Sequence, residues 1–206
     1  MSLRVGVMGG TFDPIHIGHL AAAEDAVRAL LLDSVLFVPN SQPPHKPAGE
    51  VSPASARLAM TELAVADNEK FAVSTIELER PGPSYTIDTM RELRLEFGAS
   101  AKLFFLVGRD VLNYLHTWHE PQRLLDEFDV AILDRALERG IDWTEAETHF
   151  PAIRDEVTVI PVPRLDVSSK EIRQRARLGQ SIRYLVPPSV HRYIAQRGLY
   201  GFAASE

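Results

Sequence analysis

The sequence predicts an α/β protein with a Rossmann-like, doubly wound parallel sheet and a helical C-terminal end. Its apolar runs, such as residues 35–38 and 130–133, are continuous rather than alternating, which is typical of strands buried on both faces. Segments with helical spacing separate these runs, the pattern of a parallel sheet covered by helices. Because the 206 residues contain no internal repeat and no long linker, we predict one domain over residues 1–206, with its helical part starting near residue 168.

The elements follow one another in a regular order. Continuous apolar runs predict strands at residues 3–8, 35–38, 71–78, 102–107, 130–133 and 157–162. Helical spacing, as in Leu20, Ala23 and Val27, predicts helices at residues 17–32, 55–66, 85–97, 109–115, 169–178 and 189–196. Prolines mark a loop at residues 39–53 and a turn at 81–83. Since ligands of such sheets bind beyond the carboxyl ends of the strands, the turns after these strands are expected to border one cleft.

Composition limits the classes of partner. Lys and Arg number 22 against 28 Asp and Glu, a net charge of −6, so no broad basic face for nucleic acid is expected. No apolar run approaches 18 residues, and no basic leader precedes the first strand, so we predict neither a membrane span nor a signal peptide. The absence of cysteine excludes disulfides and fits a cytoplasmic location. The sequence leaves open whether the chain forms a homo-oligomer.

The first motif is a glycine-rich turn between a strand and a helix, Gly9-Gly10-Thr11-Phe12-Asp13-Pro14. Such a turn presents backbone N–H groups and a helix N-terminus to an anion. It is neither a P-loop nor the dinucleotide fingerprint, because it lacks their lysine and glycine spacing.

His16 and His19 follow that turn at a spacing of three, which predicts both imidazoles on one helix face. Gly18 between them is expected to leave room for a ligand near the backbone. Taken alone, the pair also fits two capping residues or half of a metal site. A metal site would need a third ligand, and no Cys or His-Glu-x-x-His is present, so we predict no protein ligand to a metal.

Four further segments carry polar or aromatic groups suited to a ligand. Each also has a structural interpretation, as a helix cap, a surface lysine or a core tryptophan. Ser168-Ser169 begins a helix with Arg173 in its first turns, which suits phosphate. Residues 84–89 form a helix start whose free N–H groups suit a carboxylate. The third is the loop Pro43-Pro44-His45-Lys46. The fourth runs from Gly108 to Trp118 and includes Asp110, and the ring of Trp118 suits a planar cation.

Together these segments resemble the nucleotidylyltransferase superfamily, and most closely the bacterial nicotinate-nucleotide adenylyltransferases, from Val5 to about Tyr200. Class I aminoacyl-tRNA synthetases share His-Ile-Gly-His, but their Lys-Met-Ser-Lys-Ser loop is absent and the chain is too short for their tRNA-binding parts. The resemblance implies that ATP and nicotinate mononucleotide react to nicotinate adenine dinucleotide and pyrophosphate. It also implies Mg²⁺ bound with ATP.

The resemblance assigns roles residue by residue. Catalysis is assigned to His16, His19, Lys46 and Arg173. ATP binding is assigned to Gly9, Gly10, Thr11, Phe12, His16, Gly18, His19, Gly108, Asp110, Ser168, Ser169, Ile172 and Arg173. Binding of nicotinate mononucleotide is assigned to Thr11, Lys46, Tyr85, Thr86, Asp110 and Trp118.

Three features depart from the family pattern. His119 stands where relatives commonly carry another aromatic residue, Arg109 adds a cation, and Asp134-Arg135-Ala136 replaces Arg-Pro-Gly. Two alternatives remain open: nucleotidylyl transfer to another phosphate acceptor, such as phosphopantetheine or glycerol phosphate, and a non-catalytic nucleotide-binding module. Residues 85–89 and Trp118 disfavour the first, and retention of both histidines disfavours the second.

Overall fold

A six-stranded parallel sheet forms the centre of the fold. The computed structural model describes residues 2–41, 51–135 and 140–202. Parallel pairing joins the strands in the order β3-β2-β1-β4-β5-β6. Their bounds are β1 Arg4–Gly10, β2 Ser34–Pro39, β3 Phe71–Val73, β4 Lys102–Gly108, β5 Asp129–Asp134 and β6 Val157–Pro161. The strand order reverses at β1, so the gap between the ends of β1 and β4 is the switch point where such sheets bind ligands.

Helices cover both faces of this sheet. They are α1 Ile17–Ala29, α2 Ala54–Val65, α3 Ile76–Glu79, α4 Thr86–Phe97, α5 Pro121–Glu127, α6 Thr144–His149, α7 Ile153–Glu156, α8 Ser169–Arg177 and α9 Pro188–Arg197. Short 3₁₀ turns span Arg109–Asn113, Leu115–Thr117 and Leu199–Gly201. No helix among the described residues is long and apolar enough to cross a membrane.

Each face of the sheet has its own apolar core. Met8 and Phe37 pack with the buried sides of α1, α2, α8 and α9, while Val7 and Phe105 pack with α4, α5 and α6. Strand residues therefore alternate between two buried environments, which explains why the apolar runs are continuous in the sequence. The predicted α/β class, with its parallel sheet and C-terminal helices, is confirmed.

Two sequence predictions about elements are wrong, and short helices were missed. The strand predicted over residues 71–78 ends at Val73, because this edge strand pairs with β2 over three residues, and α3 follows it. The glycines after Met8 do not end the first strand, since Gly9 and Gly10 continue the ladder opposite Val38 and Pro39. The short helices α5, α6 and α7 were not predicted; at 7, 6 and 4 residues they are too short to show a clear helical period.

Candidate active site

Two clefts open at the carboxyl ends of the central strands, and Gly9 of β1 and Val107 of β4 line both of them. The larger, the imidazole cleft, has a volume of about 730 Å³ and is lined among others by His16, His19, Gly108, Arg109, Asp110, Arg135, Arg164, Ser168 and Ser169. The smaller, the tryptophan cleft, has a volume of about 480 Å³ and is lined among others by Gly10, Thr11, Asn40, Glu77, Tyr85, Thr86, Trp118 and His119. The switch point is therefore a junction between two binding spaces of different chemistry.

The two histidines of the imidazole cleft stack on each other at the start of α1. Their ring centroids lie 3.7 Å apart and their planes differ by 20°. The backbone N–H of His16 donates to Nδ1 of His19 at 3.2 Å. Because Nδ1 accepts this hydrogen bond, a neutral His19 carries its proton on Nε2, the nitrogen that can donate to a ligand. The predicted placement of both rings on one helix face is confirmed.

Burial keeps both imidazoles neutral at physiological pH. Burial and, to a smaller extent, the nearby positive charge of Arg135 together lower the pKa of His16 to about 4. Burial, followed by the neighbouring His16 and by Arg135, lowers the pKa of His19 well below its ordinary value. The pair therefore offers hydrogen-bond donors rather than fixed positive charge.

Positive charge in the imidazole cleft comes from arginines. Arg109, Arg135 and Arg164 all line it, and Nη1 of Arg109 lies 2.9 Å from the buried carboxylate of Asp134. The sequence comparison singled out Arg109 and Arg135 as departures from the family pattern, and the structure brings both to the cleft. The sequence analysis did not single out Arg164. The one feature that could have marked it is its position four residues before Ser168.

The start of α8 is capped by its own serine and tied to the glycine-rich turn by two hydrogen bonds. Ser168 caps the helix, accepting the Glu171 backbone N–H at 3.2 Å. The Ser169 hydroxyl donates to the carbonyl of Pro14 at 2.8 Å, and Nη1 of Arg173 donates to the carbonyl of Asp13 at 2.7 Å. Segments about 155 residues apart in sequence thus form one wall, in which Ser168 and Ser169 line the cleft and Arg173 bonds to the turn.

Three of the residues predicted to bind ATP lie where a side chain would pack behind the cleft wall. Phe12 is buried and places its ring edge-on to His19 at 5.3 Å, with its backbone in the left-handed region at φ 47°. A Cβ on Gly18 would lie 3.0 Å from Val167 and 3.1 Å from the His16 ring. The space expected to admit a ligand is therefore filled by protein, which corrects that interpretation of Gly18. Ile172 is fully buried in the apolar core.

Asp110 projects from the first 3₁₀ turn after β4. Its Oδ2 accepts the Tyr114 hydroxyl at 3.2 Å. A Cβ on Gly108 would lie 2.6 Å from its Oδ1, so a larger residue there would push the carboxylate out of its position over the backbone. Asp110 lines the imidazole cleft and Tyr114 the tryptophan cleft, so this pair stands between the two spaces.

The tryptophan cleft combines aromatic rings with a helix start. Trp118 is half-buried and packs edge-on against Phe105 at 5.9 Å, which leaves part of its surface on the cleft. Tyr85 is the N-cap of α4 and lies 4.3 Å from the ring of His119. Thr86 opens the helix, so its N–H belongs to the first turn, whose donors lack helical partners.

A buried carboxyl, Glu77, also lines the tryptophan cleft. It accepts the hydroxyl of Thr89 on α4 at 2.7 Å, and burial raises its pKa. Arg80 donates to the same hydroxyl at 3.1 Å. The sequence prediction missed Glu77 because it placed the residue in a strand; in α3 its side chain instead anchors the start of α4.

Arg57 is the second residue that the sequence did not reveal. With 1% of its surface exposed, it donates to the carbonyls of Thr11 at 2.9 Å, Ser41 at 3.0 Å and Ser52 at 3.1 Å. It thereby joins the glycine-rich turn to both ends of the loop that was predicted to carry Lys46. Lys46 itself lies outside the described residues.

The buried carboxylate of Asp13 completes this support. It accepts the backbone N–H of Ser52 at 3.1 Å and the hydroxyl of Tyr200 at 2.6 Å. Tyr200 comes from the 3₁₀ turn after α9, so the C-terminal end of the described chain also contributes to the glycine-rich turn. The turn is held from three directions, which fixes the position of the histidines that follow it.

Comparison with known proteins gives a consistent result. The sequence model of the cytidylyltransferase-like family matches residues 7–175. A protein of Thermomicrobium roseum named nicotinate-nucleotide adenylyltransferase is 46% identical over 200 residues, covering 96% of this chain and 91% of that protein. One from Thermus thermophilus with the same name is 44% identical, covering 96% and 100%.

Solved structures share the fold. Plasmodium falciparum nicotinic acid mononucleotide adenylyltransferase, complexed with NaAD, superimposes with a TM-score of 0.78 at 20% identity, covering 97% of this chain and 98% of that one. The structure of the same enzyme complexed with APC gives a TM-score of 0.76 at 19% identity, with the same coverage.

Proposed function

The chain belongs to the nicotinate-nucleotide adenylyltransferases of the cytidylyltransferase-like family, and from this membership we propose that it joins ATP and nicotinate mononucleotide to nicotinate adenine dinucleotide and pyrophosphate. One observation carries the proposal. The imidazole cleft and the tryptophan cleft have different chemistry and share a border at Gly9 and Val107. Two substrates bound in them would meet with their phosphates at the shared border.

The imidazole cleft suits ATP. Neutral imidazoles donate hydrogen bonds to phosphate oxygens, arginines supply the positive charge, and the start of α8 adds a helix dipole. His16 and His19 would contact the α- and β-phosphates, with Ser168 and Ser169 at the far wall. We propose that Arg173 acts by holding the turn before His16 and by contributing its remaining N–H groups to the phosphates.

The tryptophan cleft suits the mononucleotide. A pyridinium ring is planar and cationic, so it gains from stacking on Trp118. The first turn of α4 at Thr86 would receive the pyridine carboxylate. Asp110, between the clefts, accepts hydrogen bonds and so suits ribose hydroxyls.

The reaction needs positioning more than proton transfer. The 5′-phosphate of the mononucleotide is anionic at neutral pH, so an oxygen of it can attack the α-phosphorus of ATP directly while the bond to pyrophosphate breaks. His19 would donate to the oxygens on which charge accumulates. Lys46 stays a predicted contributor to this charge neutralisation.

A divalent metal ion accompanies the nucleotide in this family, and we propose Mg²⁺. Buried carboxylates near the histidines already have protein partners, Asp13 with Tyr200 and Asp134 with Arg109. The described residues therefore fit an ion held mainly by phosphates and water, as Mg²⁺ usually is. Such an ion would neutralise phosphate charge.

An acceptor panel tests the activity. Purified protein is incubated with ATP or CTP and, in turn, nicotinate mononucleotide, phosphopantetheine and glycerol 3-phosphate, with detection of released pyrophosphate. We expect release with ATP and nicotinate mononucleotide. Release with another acceptor would support a related nucleotidylyltransferase, and binding of ATP without release in any mixture would support a non-catalytic module.

Replacing Trp118 should affect one substrate selectively. We expect Trp118→Ala to raise the KM for nicotinate mononucleotide by an amount equivalent to about 1–3 kcal/mol, by analogy with stacking of bases on aromatic side chains. The KM for ATP should stay nearly unchanged, because Trp118 does not line the imidazole cleft. Equal increases in both KM values would mean that Trp118 only supports the core, and initial rates with each substrate varied in turn measure both.

The helix start at Thr86 predicts a preference for the acid over the amide mononucleotide. A carboxylate accepts from backbone N–H groups at both oxygens, whereas an amide NH₂ would face those same donors. Two buried unsatisfied groups at roughly 1–3 kcal/mol each give at least tens-fold discrimination. The ratio of kcat/KM for nicotinate and nicotinamide mononucleotides measures it. A preference for the amide would indicate that Glu77 serves as the acceptor.

Two further properties stay predictions. The proposed domain covers residues 1–206, with its helical part from about residue 168. A cytoplasmic location is an expectation from composition, and a homo-oligomer is an open alternative that the sequence does not decide.

A further inference from the structure

We propose that His116, Glu145 and His149 form a site for a divalent transition-metal ion of the Zn²⁺ class, separate from both clefts. Their potential ligand atoms all lie within 4.8 Å of one another. None of the three lines the imidazole cleft or the tryptophan cleft. The proposal therefore does not depend on the proposed activity.

The distances from the carboxylate to the two imidazoles are close to those that a tetrahedral ion requires. Oε1 of Glu145 lies 3.3 Å from Nε2 of His149 and 3.7 Å from Nδ1 of His116. Two ligands each about 2.0–2.1 Å from a tetrahedral Zn²⁺ lie about 3.3–3.4 Å apart. The two distances from the carboxylate therefore fit an ion nearly as they stand, while the two imidazole nitrogens, which lie within 4.8 Å of each other, would converge by rotation of their side chains.

The donor set also selects the class of ion. Two imidazoles and one carboxylate suit Zn²⁺ and its neighbours, while Mg²⁺ and Ca²⁺ prefer oxygen ligands. Three protein ligands leave the fourth position to water. The side chains are 29%, 52% and 41% exposed for His116, Glu145 and His149, so an ion can enter from solvent.

The ligands stand on elements that the core already holds in place. Glu145 and His149 are four residues apart on one face of α6, and the next residues along, Ala146 and Phe150, are buried in the core. The His116 ring stacks on that of His149 at 4.1 Å and 15°. A bound ion would brace α6 against the 3₁₀ turn Leu115–Thr117.

This proposal replaces the sequence prediction that the protein supplies no metal ligand. His116 lies 29 residues before Glu145. The sequence does not reveal that α6 packs beside the 3₁₀ turn, so it gave no reason to group the three residues.

Titration with Zn²⁺ alone tests the site. Protein stripped with EDTA and desalted is titrated with ZnCl₂ in a calorimeter, and its thermal unfolding is followed with and without the ion. We expect one ion per chain at this site. At a free Zn²⁺ concentration 100-fold above Kd, Tm should rise by about 5–11 °C, since a ligand that binds only the folded state shifts the unfolding equilibrium.

Variants locate the ion. Loss of a group that merely orients a ligand weakens metal affinity about 10–100-fold, so loss of a ligand in His149→Ala or His116→Ala should cost at least about 100-fold. Two variants serve as matched controls, His191→Ala and Glu147→Gln. His191 lies on α9, and Glu147 pairs with Arg154, so both variants should bind Zn²⁺ as the wild type does. Absence of binding by the wild type, or unchanged binding by His149→Ala, overturns the proposal; the latter would place the ion elsewhere, for example at the other histidine pair.

Discussion

His19→Ala should lower kcat about 100- to 1000-fold while leaving the protein folded. Removing one preorganised donor to charge that develops in the transition state typically costs about 2.7–4 kcal/mol. His19 is such a donor, because its Nδ1 accepts the His16 backbone N–H and its proton is therefore on Nε2. Steady-state rates of pyrophosphate release, at saturating concentrations of both substrates, measure the effect.

His191→Ala is the matched control for that variant. His191 lies on α9 and lines neither cleft, so its loss should change kcat less than twofold. Thermal unfolding of both variants separates loss of function from loss of fold. If folded His19→Ala turned over at nearly the wild-type rate, His19 would have no part in the chemistry.

Arg57→Met should destabilise the fold by about 3–5 kcal/mol, the range found when one partner of a buried charged pair is removed. The substitution keeps an apolar chain of similar length but leaves the carbonyls of Thr11, Ser41 and Ser52 without their donor. It also removes the positive charge near the buried Asp13 carboxylate. For a chain of this size, Tm should fall by about 6–20 °C.

Arg28→Met provides the comparison for stability. The Arg28 side chain is 77% exposed and pairs with Asp25 on the same helix face, a surface arrangement worth less than about 1 kcal/mol. Chemical denaturation of both variants gives their free energies of unfolding. Equal values would show that the Arg57 hydrogen bonds do not hold the glycine-rich turn.

Local patterns were sufficient for most strands of the sheet and for the spacing of the histidine pair. The continuous runs of β2, β4 and β5 reflect burial on both faces, which a strand records in its own sequence. The spacing of His16 and His19 likewise determines their relation, because three residues are less than one helical turn. Both could be predicted without knowledge of any distant contact.

The supporting residues could not be predicted, because their roles depend on distant contacts. Arg57 appears in the sequence as an ordinary charged position on a helix, yet it bonds to residues up to 46 positions away. Tyr200 reaches Asp13 across 187 residues. Glu77 was hidden by a wrong strand boundary, since an edge strand of three residues leaves little periodicity to recognise.

The central claim is direct transfer between two substrates that meet where the clefts join, and isotope exchange tests it most directly. Labelled pyrophosphate is incubated with ATP and enzyme, with and without nicotinate mononucleotide. Direct attack by the mononucleotide phosphate predicts no label in ATP when the mononucleotide is absent, and exchange together with nicotinate adenine dinucleotide formation when it is present. Exchange in its absence would mean that the enzyme first takes the adenylyl group onto one of its own side chains, and would contradict the account.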